Sequence, residues 1–121
     1  FLILVSKYPP RQTAIKALLG LITPNTPVFI IDNFSSSIQY LQANFDKKSL
    51  IIVDSLSLGM SNIDISKSLL ELESIIQGIP DIRCLYLVEK SRNLKLQKRS
   101  KVLEGDITSN QFISTVQELL E

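Results

Sequence analysis

Several residue types on which enzymes commonly depend are absent or scarce in this chain of 121 residues. It has no histidine, no tryptophan, one cysteine (Cys84) and four glycines that never cluster. Without histidine, Ser-His-Asp triads, histidine general bases and nearly all catalytic zinc sites are excluded. A single cysteine cannot form an intrachain disulfide, which favours a reducing compartment, and we therefore expect a cytoplasmic protein.

The chain also lacks a strong charge of either sign and a long apolar run. Its 13 Lys and Arg against 12 Asp and Glu give a net charge of +1, which excludes a globally basic nucleic-acid binder. No apolar stretch approaches the roughly 18 residues that a membrane helix needs, so we expect no membrane association. Apolar residues make up 45%, enough to fill the core of one domain spanning residues 1–121. Because the first residue is not Met, we expect this domain to belong to a longer protein.

Short apolar runs alternate along the chain with segments of helical spacing. The runs are typical of strands buried on both faces: Phe1–Val5, Val28–Ile31, Leu50–Val53, Cys84–Val88 and a shorter Val102–Leu103. Such alternation predicts an α/β fold of five βα units, with a parallel sheet covered by helices on both faces. Ligands of these sheets bind beyond the carboxyl ends of the strands, which is where function is expected. Cys84 lies within an apolar run, and we expect it to be a core residue.

The helical segments carry recognisable start and stop signals. The first begins at Pro9 and Pro10, where proline is tolerated, and the predicted apolar face consists of Ala14, Ala17, Leu18 and Leu21. A third segment carries its apolar residues from Ile65 to Ile79, and Gly78 and Pro80 end it. A short helix is also expected near Leu94.

Two pairs of residues predict capping boxes, in which a Ser or Thr and a Gln three positions later satisfy each other's backbone N–H groups. Ser36 with Gln39 predicts the start of the second helix. Thr108 with Gln111 predicts the start of the last helix.

Three segments at strand ends resemble the receiver domain of response regulators, in particular those that precede the DNA-binding domain in transcription factors of the LuxR family. Val5–Pro9 followed by Arg11 occupies the place of that family's Val-Asp-Asp-His-Pro and its arginine. Asp54–Asn62 is similar to its Asp-x-x-x-Pro-Gly-Met-x-Gly, and Val102–Thr108 to its Tyr-Leu-Leu-Lys-Asp-x-Ser. The resemblance implies a flavodoxin-like (βα)5 three-layer sandwich with strand order 2-1-3-4-5, acting as a signalling and dimerisation module of a two-component transcriptional regulator.

The resemblance also implies that most of the phosphoryl-transfer chemistry is missing. The phosphoacceptor aspartate is retained as Asp54, but Ser6 and Lys7 stand where the family has two acidic ligands of Mg²⁺. Val88 replaces the Ser or Thr that ends strand 4, and Gly105 replaces the lysine that ends strand 5. Asp32 and Leu56 complete the expected rim of the pocket.

A divalent cation normally offsets the repulsion between a carboxylate and an incoming phosphoryl group, and Mg²⁺ prefers carboxylate and water oxygens. Asp54 beside the ammonium of Lys7 is a poor site for it. We therefore expect no metal, no cofactor and no catalytic residue. Because burial of a charge is costly, Asp54 is expected at the solvated rim, where Lys7 pairs with it and imitates the charge of the metal. That makes the chain a pseudo-receiver.

The most uneven charge lies late in the chain, where six basic residues occur without an acid: Lys90, Arg92, Lys95, Lys98, Arg99 and Lys101. They are a candidate patch for an acidic partner, a phosphate-bearing ligand or the backbone of nucleic acid near an attached DNA-binding domain, although a solvated helix face is the favoured explanation. The expected partners are a second copy of the chain, a histidine kinase or another protein, and DNA only through an attached C-terminal domain.

Two other functions remain open from the sequence. One is a working phosphoacceptor in which a histidine kinase phosphorylates Asp54 with Mg²⁺ present. The other is an unrelated flavodoxin-like domain that binds a small anion at helix amino termini, although the chain has no glycine-rich phosphate loop. A stand-alone enzyme is least expected, because no pair of nucleophile and base is recognisable.

Overall fold

The computed structural model describes residues 2–43, 48–58, 62–79, 81–89 and 100–120. These ranges contain five strands, four α-helices and one short 3₁₀ helix. The strands are β1 (Leu2–Val5), β2 (Val28–Ile31), β3 (Ser49–Asp54), β4 (Ile82–Val88) and β5 (Ser100–Glu104). The helices are α1 (Pro9–Ile22), α2 (Phe34–Ala43), α3 (Asn62–Ile76) and α4 (Ser109–Leu120), with a 3₁₀ turn at Ser55–Ser57.

All five strands are parallel and form one sheet in the order β2-β1-β3-β4-β5. The predicted fold class is thereby confirmed: the chain has a flavodoxin-like α/β fold. Strand β1 pairs Val5 with Ile31 of β2 on one side and with Val53 of β3, the central strand, on the other. The residues that follow these strands therefore meet at one edge of the sheet, which we call the carboxyl edge.

Helices cover both faces of the sheet, as the alternation of elements predicts. Successive strand side chains point to opposite faces, so each strand contributes to two apolar layers. Ile15 and Leu19 of α1 and Val116 of α4 pack on one face, in a cluster with strand residues such as Leu4 and Leu85.

On the other face of the sheet, α2 and α3 pack in a second cluster, which includes Leu41, Leu69, Leu72, Val5 and Tyr86. Burying one such side chain contributes about 1.5–3 kcal/mol, so these layers fix the sheet beneath the carboxyl edge.

The predicted apolar face of α1 is wrong at three of its four positions, and only Leu18 packs against the cluster beneath the helix. Ile15 and Leu19 are the buried residues of this helix, whereas Ala14 and Ala17 are exposed and Leu21 is 74% exposed. Ile15 and Leu19 are spaced i, i+4 and remove more apolar area from water than two alanines can, so they turn towards the sheet.

One of the two predicted capping boxes is present. Thr108 and Gln111 bond reciprocally at the start of α4, through backbone N–H to side-chain oxygen distances of 3.0 and 3.1 Å. The box at Ser36 and Gln39 is wrong, because α2 begins earlier, at Phe34. Asn33 caps it by accepting the Ser36 backbone N–H at Oδ1 over 2.8 Å.

The ends of the remaining elements agree with the prediction or extend it. Helix α3 ends at Ile76, ahead of Gly78, and β5 is longer than predicted, running from Ser100 to Glu104. The helix expected near Leu94 lies outside the described residues. No helix in the described ranges is long and apolar enough to cross a membrane.

Candidate functional site

Ser6 and Asp54 meet at the carboxyl edge because their strands are neighbours in register. Val5 pairs with Val53, so the next residue on each strand lies beside the other. The Ser6 hydroxyl donates to Asp54 Oδ2 at 3.0 Å, and the bond is buried. The Ser6 backbone N–H donates to the Ile31 carbonyl at 2.9 Å, which extends the ladder to β2 and holds Ser6 in place.

Arg11 closes over this pair from the first turn of α1. Its Nε donates to Asp54 Oδ2 at 2.7 Å and its Nη2 donates to Asp54 Oδ1 at 2.9 Å. The guanidinium thus binds both carboxylate oxygens at once, in the two-pronged geometry that makes such pairs strong and directional. The Asp54 side chain is fully buried, whereas the Arg11 side chain is 38% exposed.

Two expectations about Asp54 are therefore wrong. It is buried rather than solvated, and its cationic partner is Arg11 rather than Lys7. The planar guanidinium of arginine binds two carboxylate oxygens at once, whereas the ammonium of lysine is a compact point charge. A buried carboxylate needs an opposite charge and hydrogen bonds to offset its lost hydration, and Arg11 provides both to Asp54. Lys7 is exposed and joins the site only through its backbone N–H, which donates to Ser57 Oγ at 3.1 Å.

Ser57, in the 3₁₀ turn after β3, lies within hydrogen-bond distance of both Ser6 and Asp54. Its hydroxyl lies 3.0 Å from Ser6 Oγ and 3.1 Å from the Asp54 carbonyl. Since the single hydroxyl proton of Ser6 is donated to Asp54, the proton of Ser57 serves one of these two acceptors at a time. Gln12 Nε2 also donates to the Ser6 carbonyl at 2.6 Å. Side chains from α1 and the 3₁₀ turn thereby hold Ser6 and Asp54 in one arrangement.

The electrostatics of the site follow from this pairing. The hydrogen bond to Asp54 raises the pKa of Arg11 above its ordinary value, so the guanidinium stays charged. Arg11 is the cation that pairs with Asp54 among the described residues, and a buried carboxylate that loses its cation leaves an uncompensated charge, which is strongly destabilising. Arg11 and Asp54 thus form a structural ion pair at the position where the receiver resemblance places a phosphoacceptor.

The residues of this site do not fit a magnesium ion. Both oxygens of Asp54 already accept hydrogen bonds, and the positive charge beside them is a guanidinium. Ser6 supplies a hydroxyl where Mg²⁺ would need a carboxylate. The adjacent Ser55 hydroxyl is buried without a hydrogen-bond partner in the described part of the chain, and a neutral hydroxyl does not replace the missing acids. No group of three Asp, Glu or Cys side chains suited to a metal occurs within the described ranges.

In the described part of the chain, the other predicted rim residues form no hydrogen bond or ion pair with the Asp54 carboxylate. Asp32 is exposed and accepts a hydrogen bond from Asn33 Nδ2 at 3.0 Å, and Leu56 is 39% exposed. Val88 is buried at the end of β4. Gly105 follows β5 with a φ of 65° and donates its backbone N–H to the Val88 carbonyl at 2.9 Å. At that positive φ glycine is the residue that fits without strain.

Most of the basic patch cannot be placed, because Lys90, Arg92, Lys95, Lys98 and Arg99 lie outside the described residues. Lys101 is described, and it forms an ion pair with Glu118 of α4. Its charge is thus already matched by an acid of the same chain.

A second group of buried polar residues, which the sequence does not reveal, lies on the opposite face of the sheet from α1. The Tyr86 hydroxyl donates to Glu73 Oε1 at 2.7 Å, and both residues are buried. Cys84, fully buried as expected of a core residue, lies two positions before Tyr86 on the same strand. Burial raises the pKa of the Cys84 thiol from 9.0 to about 12 and also raises the pKa of Tyr86.

Comparisons of the chain with models of known protein families, with curated proteins and with solved structures gave no match. The site is therefore interpreted from its own geometry.

Proposed function

We propose that this domain is a regulatory module of the receiver type that works without a magnesium-dependent phosphoryl switch. It would act in the cytoplasm as the signalling and dimerisation part of a transcriptional regulator. The observation that supports this best is the two-pronged ion pair between Arg11 and Asp54.

The ion pair opposes phosphoryl transfer in two ways. A carboxylate attacks phosphorus through a free oxygen, and both oxygens of Asp54 are held by hydrogen bonds from Arg11 and Ser6. A phosphoryl group on Asp54 would also have to displace Arg11 from a buried position. The guanidinium already supplies the positive charge that a metal would bring, so the site rests in a single electrostatic state.

A domain with one fixed state must signal by what it binds. We propose a second copy of the chain as the first partner. Size-exclusion chromatography with light scattering over a range of protein concentrations tests this part. A mass that stays at one chain, 13.6 kDa, at every concentration would contradict self-association.

The proposal about phosphorylation is tested by amide NMR spectra recorded with millimolar Mg²⁺ and then beryllofluoride, which mimics a phosphoryl group on aspartate. We expect the signals of Asp54, Ser55 and Leu56 to stay in place. Shifts at these residues that disappear in Asp54→Asn would show a working phosphoacceptor, and a histidine kinase would then become the expected partner.

A variant in which the missing acids are restored shows that the NMR measurement can detect binding. In Ser6→Asp/Lys7→Asp/Arg11→Gln, two carboxylates replace Ser6 and Lys7, and the guanidinium that occupies Asp54 is removed. We expect this variant, provided that it is folded by circular dichroism, to shift with Mg²⁺ where the native chain does not.

A further inference from the structure

A cavity of about 240 Å³ lies between α1 and the start of α4, beside the end of β4. Its walls are mainly apolar and include Ala14, Ile15, Leu18 and Phe112. Among the described residues that line it, Arg11 alone is charged. The residue that pairs with Asp54 is therefore also part of the cavity wall.

Arg11 has hydrogen-bonding capacity beyond its bonds to Asp54. A guanidinium carries five N–H donors, and its bonds to Asp54 use two of them, at Nε and Nη2. With 38% of its side chain exposed, Arg11 can reach a second acceptor without releasing the first. Thr108 also lines the cavity, but its backbone N–H and its hydroxyl oxygen are engaged in the capping box with Gln111. The cavity thus offers mainly apolar walls, the Ser109 side chain, and an arginine whose charge is paired with Asp54 but which keeps further N–H donors.

We propose that this cavity binds a small monocarboxylate with an apolar body, the carboxylate meeting Arg11 and the body lying against Leu18 and Phe112. Its volume lies below the usual range of about 300–1,000 Å³ for ligand pockets, which limits the ligand to the size of a single ring or a short branched chain. This proposal goes beyond the proposed function, because it holds whether or not Asp54 can be phosphorylated.

Such a ligand would act directly on the candidate site. Arg11 would share its positive charge between Asp54 and the bound carboxylate, and its position in the first turn of α1 would transmit the change to that helix. The domain would then respond to a metabolite through the same arginine that holds Asp54.

The proposal is tested by NMR titration of the native chain with benzoate, 4-methylpentanoate and hexanoate. We expect at least one of them to bind and to shift the amides of Ala14, Leu18, Ile107 and Thr108. Its uncharged amide should bind about tenfold more weakly or worse, because a hydrogen bond to a charged group is worth about 1.5–3 kcal/mol. Equal affinity for the acid and its uncharged amide would overturn the proposal. The absence of binding by all three acids would overturn it as well.

Two matched variants on the exposed side of α1 locate the ligand. Ala14→Phe places a ring in the cavity and should weaken binding at least about tenfold. Ala17→Phe adds the same ring to the same helix away from the cavity, and it should leave binding unchanged. Equal binding by both variants would contradict the site. Shifts confined to Thr23, Thr26 and Arg83, which line another cavity of about 280 Å³ at the opposite end of the strands, would contradict it as well.

Discussion

Arg11 and Asp54 are separated by 43 residues in the chain and joined by two hydrogen bonds of 2.7 and 2.9 Å. One stands in the first turn of α1 and the other ends β3, so the pair ties a helix to the centre of the sheet.

Removal of Arg11 should cost much more stability than its partial exposure suggests. Arg11→Ala leaves the buried carboxylate of Asp54 without its cation, and we expect the free energy of unfolding to fall by about 2–4 kcal/mol. Urea denaturation measures this loss. Lys7→Ala is the matched control, since the Lys7 side chain is exposed, and it should change stability by less than about 0.5 kcal/mol.

A double-mutant cycle separates the ion pair from the packing of the arginine stem. In Asp54→Asn the buried charge is gone, so Arg11→Ala should cost less in that background, with a coupling energy of about 1–3 kcal/mol. If the two substitutions were simply additive, the contacts of Arg11 with Asp54 would not explain its effect.

Gly105 should be sensitive to substitution although it has open space around it. No atom lies within 4 Å of a Cβ added there, but φ is +65°, so Gly105→Ala should cost about 1–2 kcal/mol through backbone strain alone. Gly20 also has open space and lies within α1, where Gly20→Ala should stabilise the chain by about 0.5–1 kcal/mol. Opposite signs in thermal unfolding would confirm the backbone origin, and equal signs would refute it.

The buried pair of Tyr86 and Glu73 should matter more for stability than an apolar contact of the same area. Tyr86→Phe removes the hydroxyl that donates to Glu73 Oε1, at an expected cost of about 1–3 kcal/mol. In a Glu73→Leu background, Tyr86→Phe should lower the free energy of unfolding by distinctly less, because the carboxylate that accepts the hydrogen bond is already absent. Equal costs in the two backgrounds would show that this hydrogen bond is not the cause.

The buried thiol predicts how stability depends on alkaline pH. Burial raises the pKa of Cys84 from 9.0 to about 12, so only the unfolded chain releases this proton between these values. The stabilising effect is complete below about pH 9, and the free energy of unfolding then falls by up to about 1.4 kcal/mol per pH unit for this group. The raised pKa of Tyr86 acts in the same direction.

Urea titrations at a series of pH values from 8 to 11 measure this slope. Cys84→Ala removes one ionisable group and should make the decline shallower. An unchanged slope in that variant would place the alkaline sensitivity elsewhere. Cys84 should also resist thiol reagents at pH 8 in the folded chain, since it is buried and protonated.

The fold could be predicted largely from the sequence because each of the first four strands contains an uninterrupted apolar run. Leu50–Val53 and Cys84–Val88 predict buried strands, and they are β3 and β4, each with two further residues. The cap of α4 was equally visible, because Thr108 and Gln111 are close in sequence. The face of α1 was visible too, because Ile15, Leu18, Leu19 and Ile22 have the i, i+3, i+4, i+7 spacing of one helix face, and the prediction of Ala14, Ala17 and Leu21 missed it.

The site was predictable in place but not in its contacts. That Ser6 and Asp54 meet follows from parallel neighbouring strands. The choice of Arg11 over Lys7 does not, because it depends on where α1 begins and on how deeply Asp54 is buried. The sequence did offer one signal: Arg11 lies in the first turn of the helix that follows β1, and β1 is the neighbour of the strand that ends at Asp54. Spacing alone, however, does not favour Arg11 over Lys7 as the partner of Asp54. The pair of Tyr86 and Glu73 left no sequence signal, because its members lie on different elements.

In the resting protein, Arg11 donates hydrogen bonds to both oxygens of the Asp54 carboxylate. The decisive measurement is the side-chain resonance of Arg11 Nε–H in a proton–nitrogen NMR spectrum, assigned by its loss in Arg11→Lys. We predict a signal that exchanges slowly with solvent, stays in place with millimolar Mg²⁺, and loses its protection in Asp54→Asn. A signal that exchanges freely in the native chain, or that moves as Mg²⁺ is added, would contradict the account.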